Sequence, residues 1–238
     1  MIEANPALSV EVACGDDTTM GLYVARPAGK AIAGVLVVQE IWGVNHHIRS
    51  VADRIAALGY LAVAPDIFHR TAPGYQNTYD NMDGMKHAMA MKPDSVAADL
   101  RAAHGWLTGA LPTGAPTAAL GFCVGGRIAF AANALLPLTA SVSFYGGGIA
   151  GALESVPAMH GPALFFWGGK DRFITAEHRR ATVDAMHAAG KKFVHVLYDQ
   201  ADHGFFCDER ASYDASAARG AWVLTADFLA EQLARHAA

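Results

Sequence analysis

Cysteine is scarce. The chain has three in 238 residues, an odd count that cannot pair off internally and too few for a disulfide-stapled secreted scaffold. The chain therefore reads as one kept reduced, in the cytoplasm. Charge is sparse too, with 17% charged residues, a net charge of −4 and no basic run. That balance argues against nucleic acid or an anionic membrane surface as partner. Residues 102–153 carry a single charge, Arg127, yet Gly125, Gly126, Pro137 and Arg127 itself break every apolar run of membrane-spanning length. This stretch is expected to be the buried centre of a soluble core. Met1–Pro6 has neither a basic start nor an apolar segment, so no signal peptide is expected. Repeats, linkers and low-complexity tracts are missing, and the 24 glycines and 10 prolines are scattered. What remains is a chain that is 53% hydrophobic, long enough for one α/β domain spanning 1–238.

Short apolar runs alternate with helical periodicity. Ala31–Val38, Tyr60–Ala64 (stopped by Pro65), Thr117–Leu120, Thr139–Phe144, Ala163–Trp167 and Phe193–Tyr198 read as strands. Between them, Ile48, Val51, Ile55 and Leu58 recur at helical spacing behind Asn45 as N-cap. Val96, Leu100, Ala103 and Leu107 do the same, a helix opens at Val124, and Thr175 caps another. A long helix is expected from about Tyr213 to Ala234. Ser9–Cys14 and Thr18–Ala25 read as an edge hairpin. Strand–helix alternation with apolar strands predicts a mostly parallel sheet covered by helices on both faces. One excursion, Asp66–Pro93, is long. Met82, Met85 and Met89 sit at helical spacing within it, as a small helix packing its apolar face would require or as a flexible wall of a substrate pocket would use.

Gly121-Phe122-Cys123-Val124-Gly125-Gly126 follows a strand and opens a helix. This is a nucleophile elbow with cysteine in the nucleophile's place. The turn forces its central residue into strained geometry, small neighbours avoid clashes, and the helix N-terminus favours a thiolate. The base and its orienting acid are sought on the same edge of the sheet, where ligand sites of open α/β sheets lie. Asp171 follows the strand ending at Trp167, and His203 follows the strand ending at Tyr198. Asp199 and Asp202 are rival acids but adjoin His203 in sequence. The order Cys123, Asp171, His203 is that of α/β-hydrolases. An oxyanion hole needs the Val124 N–H and a second amide from the loop Gln39-Glu40-Ile41-Trp42-Gly43, for which Ile41 is the natural donor. Glu40, beside the elbow, is placed to control the thiol's proton. Trp42, Tyr145, Phe173, Arg172 and Phe205 flank these loops as candidate substrate contacts. The other histidines are read as surface or helix positions.

Gln39–Asn45 (Q-E-I-W-G-V-N), G-F-C-V-G-G and the contexts of Asp171 and His203 together resemble the dienelactone hydrolase family, over nearly the whole chain. The resemblance implies an α/β-hydrolase fold, a Cys123–His203–Asp171 triad and hydrolysis of 4-carboxymethylenebut-2-en-4-olide to maleylacetate without a cofactor. It also implies that Glu40 holds the resting cysteine and swings when substrate arrives, helping to generate the thiolate. One departure stands out. The family's lactone hydrolases bind the substrate carboxylate with two arginines, one four residues after the catalytic histidine, where this chain has Cys207. The other belongs in the excursion, and this chain has no arginine between Arg70 and Arg101. Arg127, Arg172, Arg210 and Lys86 are the available substitutes. Arg127, in the apolar centre, is expected to need a carboxylate partner, with Glu40 a candidate.

Three rival readings are weaker. Gly146–Gly151 matches G-x-G-x-x-G, but Pro157 and Pro162 interrupt the helix that dinucleotide binding needs, so a glycine-rich loop lining the cleft is expected. His203, Cys207 and Cys123 lack metal-ligand spacing, and no metal is expected. A non-catalytic ligand-binding protein on a hydrolase scaffold is the alternative from another class, and turnover discriminates it. The expected partner is a small lactone or ester, with the chain a monomer or small homo-oligomer.

Overall fold

Apolar runs of small and branched residues become strands whose every position is buried: β3 (Gly34–Val38), β4 (Leu61–Pro65), β5 (Thr117–Phe122), β6 (Ala140–Phe144) and β7 (Ala163–Gly168). Side chains alternate between faces along a strand, so burial at every position means cover on both faces. The structure is a computed structural model that describes residues 7–234. Met1–Pro6, read above for a leader, lies outside the described residues. These fall into two compact units that meet between Thr117 and Ala118.

In the first unit, β1 (Val10–Ala13) and β2 (Thr19–Ala25) form the expected antiparallel hairpin. β2 pairs antiparallel with β4, and β4 pairs parallel with β3. Asn45 caps α1 (His46–Ala57) by accepting the Ile48 N–H at 3.2 Å. The helix buries Ile48, Val51 and Ile55. α3 (Pro93–Gly109) starts on a proline, which needs no amide partner there. Several strand limits differ from expectation by one to three residues, and two of them have a plain local cause. β3 begins at Gly34, because the chain bends at Ile32 and Ala33 and leaves Ile32 exposed. Pro65 ends β4 rather than following it; at the last position of a ladder its missing N–H is tolerated.

The excursion contains α2 (Gly84–Ala90), but its methionines face outward: Met85 and Met89 are exposed, and so is Met82 just before the helix. The buried side is Gly84 and His87. Gly84 admits nothing larger, since a Cβ there would lie 1.6 Å from the Ile41 carbonyl oxygen. His87 packs its ring against Phe68 and Tyr75. The interior that α2 meets is aromatic, so an imidazole rather than the methionine stripe fills it.

In the second unit, β5, β6, β7 and β8 (Phe193–Tyr198) are all parallel and lie in that order. α4 (Val124–Leu135) packs on β6, and α6 (Ala215–Ala234) packs on β6 and β7. Thr175 caps α5 (Ala176–Ala188) through the His178 N–H. α6 begins two residues later than expected because Asp214 accepts the Ser216 and Ala217 amides and so serves as its cap. No helix among the described residues is long and apolar enough to cross a membrane.

Candidate active site

The turn from β5 into α4 puts Cys123 at φ 54° and ψ −118°, a region costly for any residue with a side chain. Two close approaches hold it there. A Cβ on Gly121 would stand 2.0 Å from the Gly125 carbonyl oxygen, and one on Gly126 would stand 2.7 Å from that of Phe144. Only glycine lets the strand and helix backbones come so near. The Cys123 N–H donates to the Phe144 carbonyl at 3.0 Å, tying the elbow to a second strained residue, Tyr145, at φ 38°. Val124 is the first helical residue, so its N–H has no intrahelical acceptor. The Cys123 side chain is partly exposed.

Asp171 follows β7 and His203 follows β8, two and three strands along the sheet from the β5 elbow. Asp171 is buried, and its Oδ1 accepts the Phe173 and Ile174 amides at 2.8 and 3.2 Å. Its Oδ2 is 2.8 Å from His203 Nδ1. Cys123 hydrogen-bonds the same imidazole. Burial pulls the imidazole's pKa down, but the bonds and charges of Asp171 and Cys123 outweigh it and push the pKa up to about 10. The rival acids are otherwise engaged: Asp202 Oδ1 accepts the His203 backbone N–H at 2.6 Å, and Asp199 accepts from Gln200. Tyr145 and Phe173 present ring edges to the imidazole, with centroids 5.1 and 5.2 Å away. Phe173 is 64% exposed, whereas Tyr145 and Phe205 are fully buried and meet each other edge to face. Arg172 is exposed.

The remaining candidates lie in the first unit. Glu40 is 1% exposed and accepts a hydrogen bond from the Tyr79 hydroxyl at 3.3 Å. Tyr79 in turn accepts from Asn45 Nδ2 at 3.0 Å, so the residue that caps α1 also orients the group that holds Glu40. Trp42 is buried, packs its ring at a tilt against Tyr79 with centroids 4.5 Å apart, and donates from Nε1 to the Asn81 carbonyl at 2.6 Å. Ile41 is buried beside Gly84. Sequence reasoning missed Tyr79: its only signal was membership of the excursion.

Two expectations need correction. Arg127 is not sealed in an apolar centre. It is only half-buried, in the first turn of α4 with its guanidinium against Gly148, so no carboxylate partner is required. His69 is neither at the surface nor on a helix. It is buried in the excursion, 3.0 Å from Asp99.

Parallel strands, a strained elbow at a helix N-terminus, and an acid and a histidine after later strands of the same sheet are the marks of the α/β-hydrolase class. The chain matches the dienelactone hydrolase family over residues 20–233 and belongs to it. It is 32% identical to carboxymethylenebutenolidase of Pseudomonas putida over 219 residues, covering 90% of this chain and 92% of that one. The same figures hold for the enzyme of Pseudomonas knackmussii. Among solved structures, one assigned to the dienelactone hydrolases, from Klebsiella pneumoniae, superposes with a TM-score of 0.81 at 29% identity, over 94% of this chain and 97% of that one. A dienelactone hydrolase-like promiscuous phosphotriesterase from metagenomic libraries shares the fold, with a TM-score of 0.80 at 23% identity over 94% and 96%. The protein is an ester or lactone hydrolase.

Proposed function

We propose that this enzyme opens a small lactone or activated enol ester through a cysteine acyl-enzyme, with the dienelactone 4-carboxymethylenebut-2-en-4-olide as substrate. One observation carries the reading: Cys123, strained at a helix N-terminus, hydrogen-bonds an imidazole that Asp171 anchors through Nδ1. A thiolate beside an imidazolium is an effective nucleophile at neutral pH. Cys123 Sγ attacks the lactone carbonyl, and the Val124 amide stabilises the oxyanion. The ring C–O bond breaks, the enolate leaves and takes a proton, and a thioester remains on Cys123. Water, deprotonated by His203, then cleaves the thioester, so lactone plus water becomes the open keto acid. A thiolate expels an enolate more readily than an amine, which favours enol esters over peptides. The family resemblance supports two further assignments, Glu40 as the group that governs the cysteine's proton and the Ile41 amide as second oxyanion donor. It also supports one catalytic domain, because the family match runs through both units.

The test follows dienelactone consumption by ultraviolet absorbance for wild type and Cys123→Ala. Turnover falls on the order of 10⁴-fold or more in the variant, and rapid quenching of wild type leaves an acyl adduct on the Cys123 peptide. Folded wild type that turns over neutral lactones and activated esters, but not the dienelactone, replaces the substrate. Failure with all of them favours a ligand-binding protein on this scaffold.

A further inference from the structure

β8 closes the strand order of the second unit. It pairs with β7 along its whole length, and among the described residues no strand pairs with its other side. The pairing leaves a defined set of main-chain groups open. The Ala163 N–H donates to Lys192 O, and the Gly169 N–H donates to Tyr198 O. Main-chain groups alternate sides along a strand, so the even-numbered residues of β8 face β7. The N–H and C=O groups of Phe193, His195 and Leu197 therefore face outward. Proteins blunt such edges with short strands, charges or proline. In the first unit, β1 is four residues long and carries Glu11. β8 has six residues, no proline and no acid or lysine, and Val194 and Leu197 on it are 49% and 45% exposed.

We propose that β8 pairs antiparallel with β8 of a second copy of this chain, about a two-fold axis through His195. Geometry selects the register. A two-fold normal to the sheet keeps each face on its own side, so directly opposed residues share a face. The register centred on His195 uses all three outward residues. His195 lies opposite its own copy and Phe193 opposite Leu197, giving about six main-chain hydrogen bonds. The side chains then match. Val194 faces Val196, Lys192 faces Tyr198, and Lys191 just before the strand faces Asp199 just after it, twice by symmetry. The neighbouring register, centred on Val196, sets Phe193 against Asp199 instead. A strand that is its own complement in charge and shape commits the edge to a second copy rather than a foreign peptide.

Sedimentation of the full chain over a concentration series tests this. A reversible dimer is expected, and a monomer at every concentration up to about 100 µM overturns the proposal. Cys123→Ser/His195→Cys tests the register: opposed residues of such a pair have Cα atoms about 5.5 Å apart, within disulfide reach. Mild oxidation then yields a covalent dimer, while a dimer that forms but never links places the interface elsewhere. Asp199→Lys weakens the dimer about tenfold. Mixing it with Lys191→Glu restores a mixed dimer in which both pairs are again opposite in charge. Failure of the mixture, with both variants folded by circular dichroism, removes the Lys191–Asp199 pairing and the register with it.

Discussion

Cys123, His203 and Asp171 in one unit and Cys14, His69 and Asp99 in the other bring the same three side-chain types together, but the aspartate meets a different ring nitrogen in each and an arginine joins only the second. In the first cluster Asp171 binds Nδ1 at 2.8 Å and the thiol hydrogen-bonds the same ring, with no arginine among the groups that shift it. In the second, Asp99 at 3.0 Å and Cys14 at 3.9 Å both meet Nε2, the same ring nitrogen. Arg70 enters there too, bonded to Asp99 and 2.7 Å from that nitrogen, with Asp16 holding its other end at 2.5 Å. The first arrangement raises the histidine to about 10. The second, by burial and by the charge of Asp99, pushes the Cys14 thiol up to about 11. The ligand atoms of Cys14, His69 and Asp99 lie within 4.8 Å of one another, yet the Arg70 guanidinium already supplies the cation that such a donor set would attract. Residue types in proximity do not make a nucleophile; the proposed role of Cys123 rests on its place at a helix N-terminus beside an imidazole that a carboxylate, and no arginine, holds.

Matched substitutions sharpen this contrast. Asp171→Asn lowers kcat/KM for the lactone on the order of 10³- to 10⁴-fold with little change in melting temperature, because it disturbs the orientation of His203. Asp99→Asn does the reverse: activity at a temperature where the variant is folded stays near wild type, but stability drops by about 3 kcal/mol in urea unfolding as Arg70 loses its buried partner. Equal kinetic losses in the two variants would erase the distinction.

Titration offers a second comparison. The folded-state pKa of His203 lies above its ordinary value, so the stability contributed by its protonated form is complete below about pH 6.5 and is lost as pH rises towards 10. The melting-temperature gap between wild type and His203→Gln is thus expected to narrow across that window. A gap that widens with pH contradicts an imidazolium held by Asp171 and Cys123. The smallest effect is chemical. One equivalent of iodoacetamide at neutral pH modifies partly exposed Cys123 ahead of buried Cys14 and Cys207, and peptide mass mapping reads the order. Early labelling of Cys14 breaks the comparison.

Much of the fold was legible because its signals are local. Phe193–Tyr198 was read at its observed limits, and the caps at Asn45 and Thr175 were visible as residue types ahead of helical periodicity. The excursion was less legible. The helix was expected from its methionines, yet their stripe faces outward, since periodicity reports which residues share a face and not which face the protein covers. His69 escaped for a related reason: its partners Cys14 and Asp99 lie 55 and 30 residues away.

By itself the sequence determined the alternation of strands and helices, the cysteine elbow with its glycines, and the order cysteine, acid, histidine. Each of these rests on backbone sterics or periodicity within a few residues. Only the tertiary structure decided that Asp171, rather than Asp199 or Asp202, holds His203, that Tyr79 binds Glu40, and that Cys14 rests in an inert network. Those outcomes depend on which loops return to the same strand ends and which atom of a ring they reach, and no local propensity encodes either.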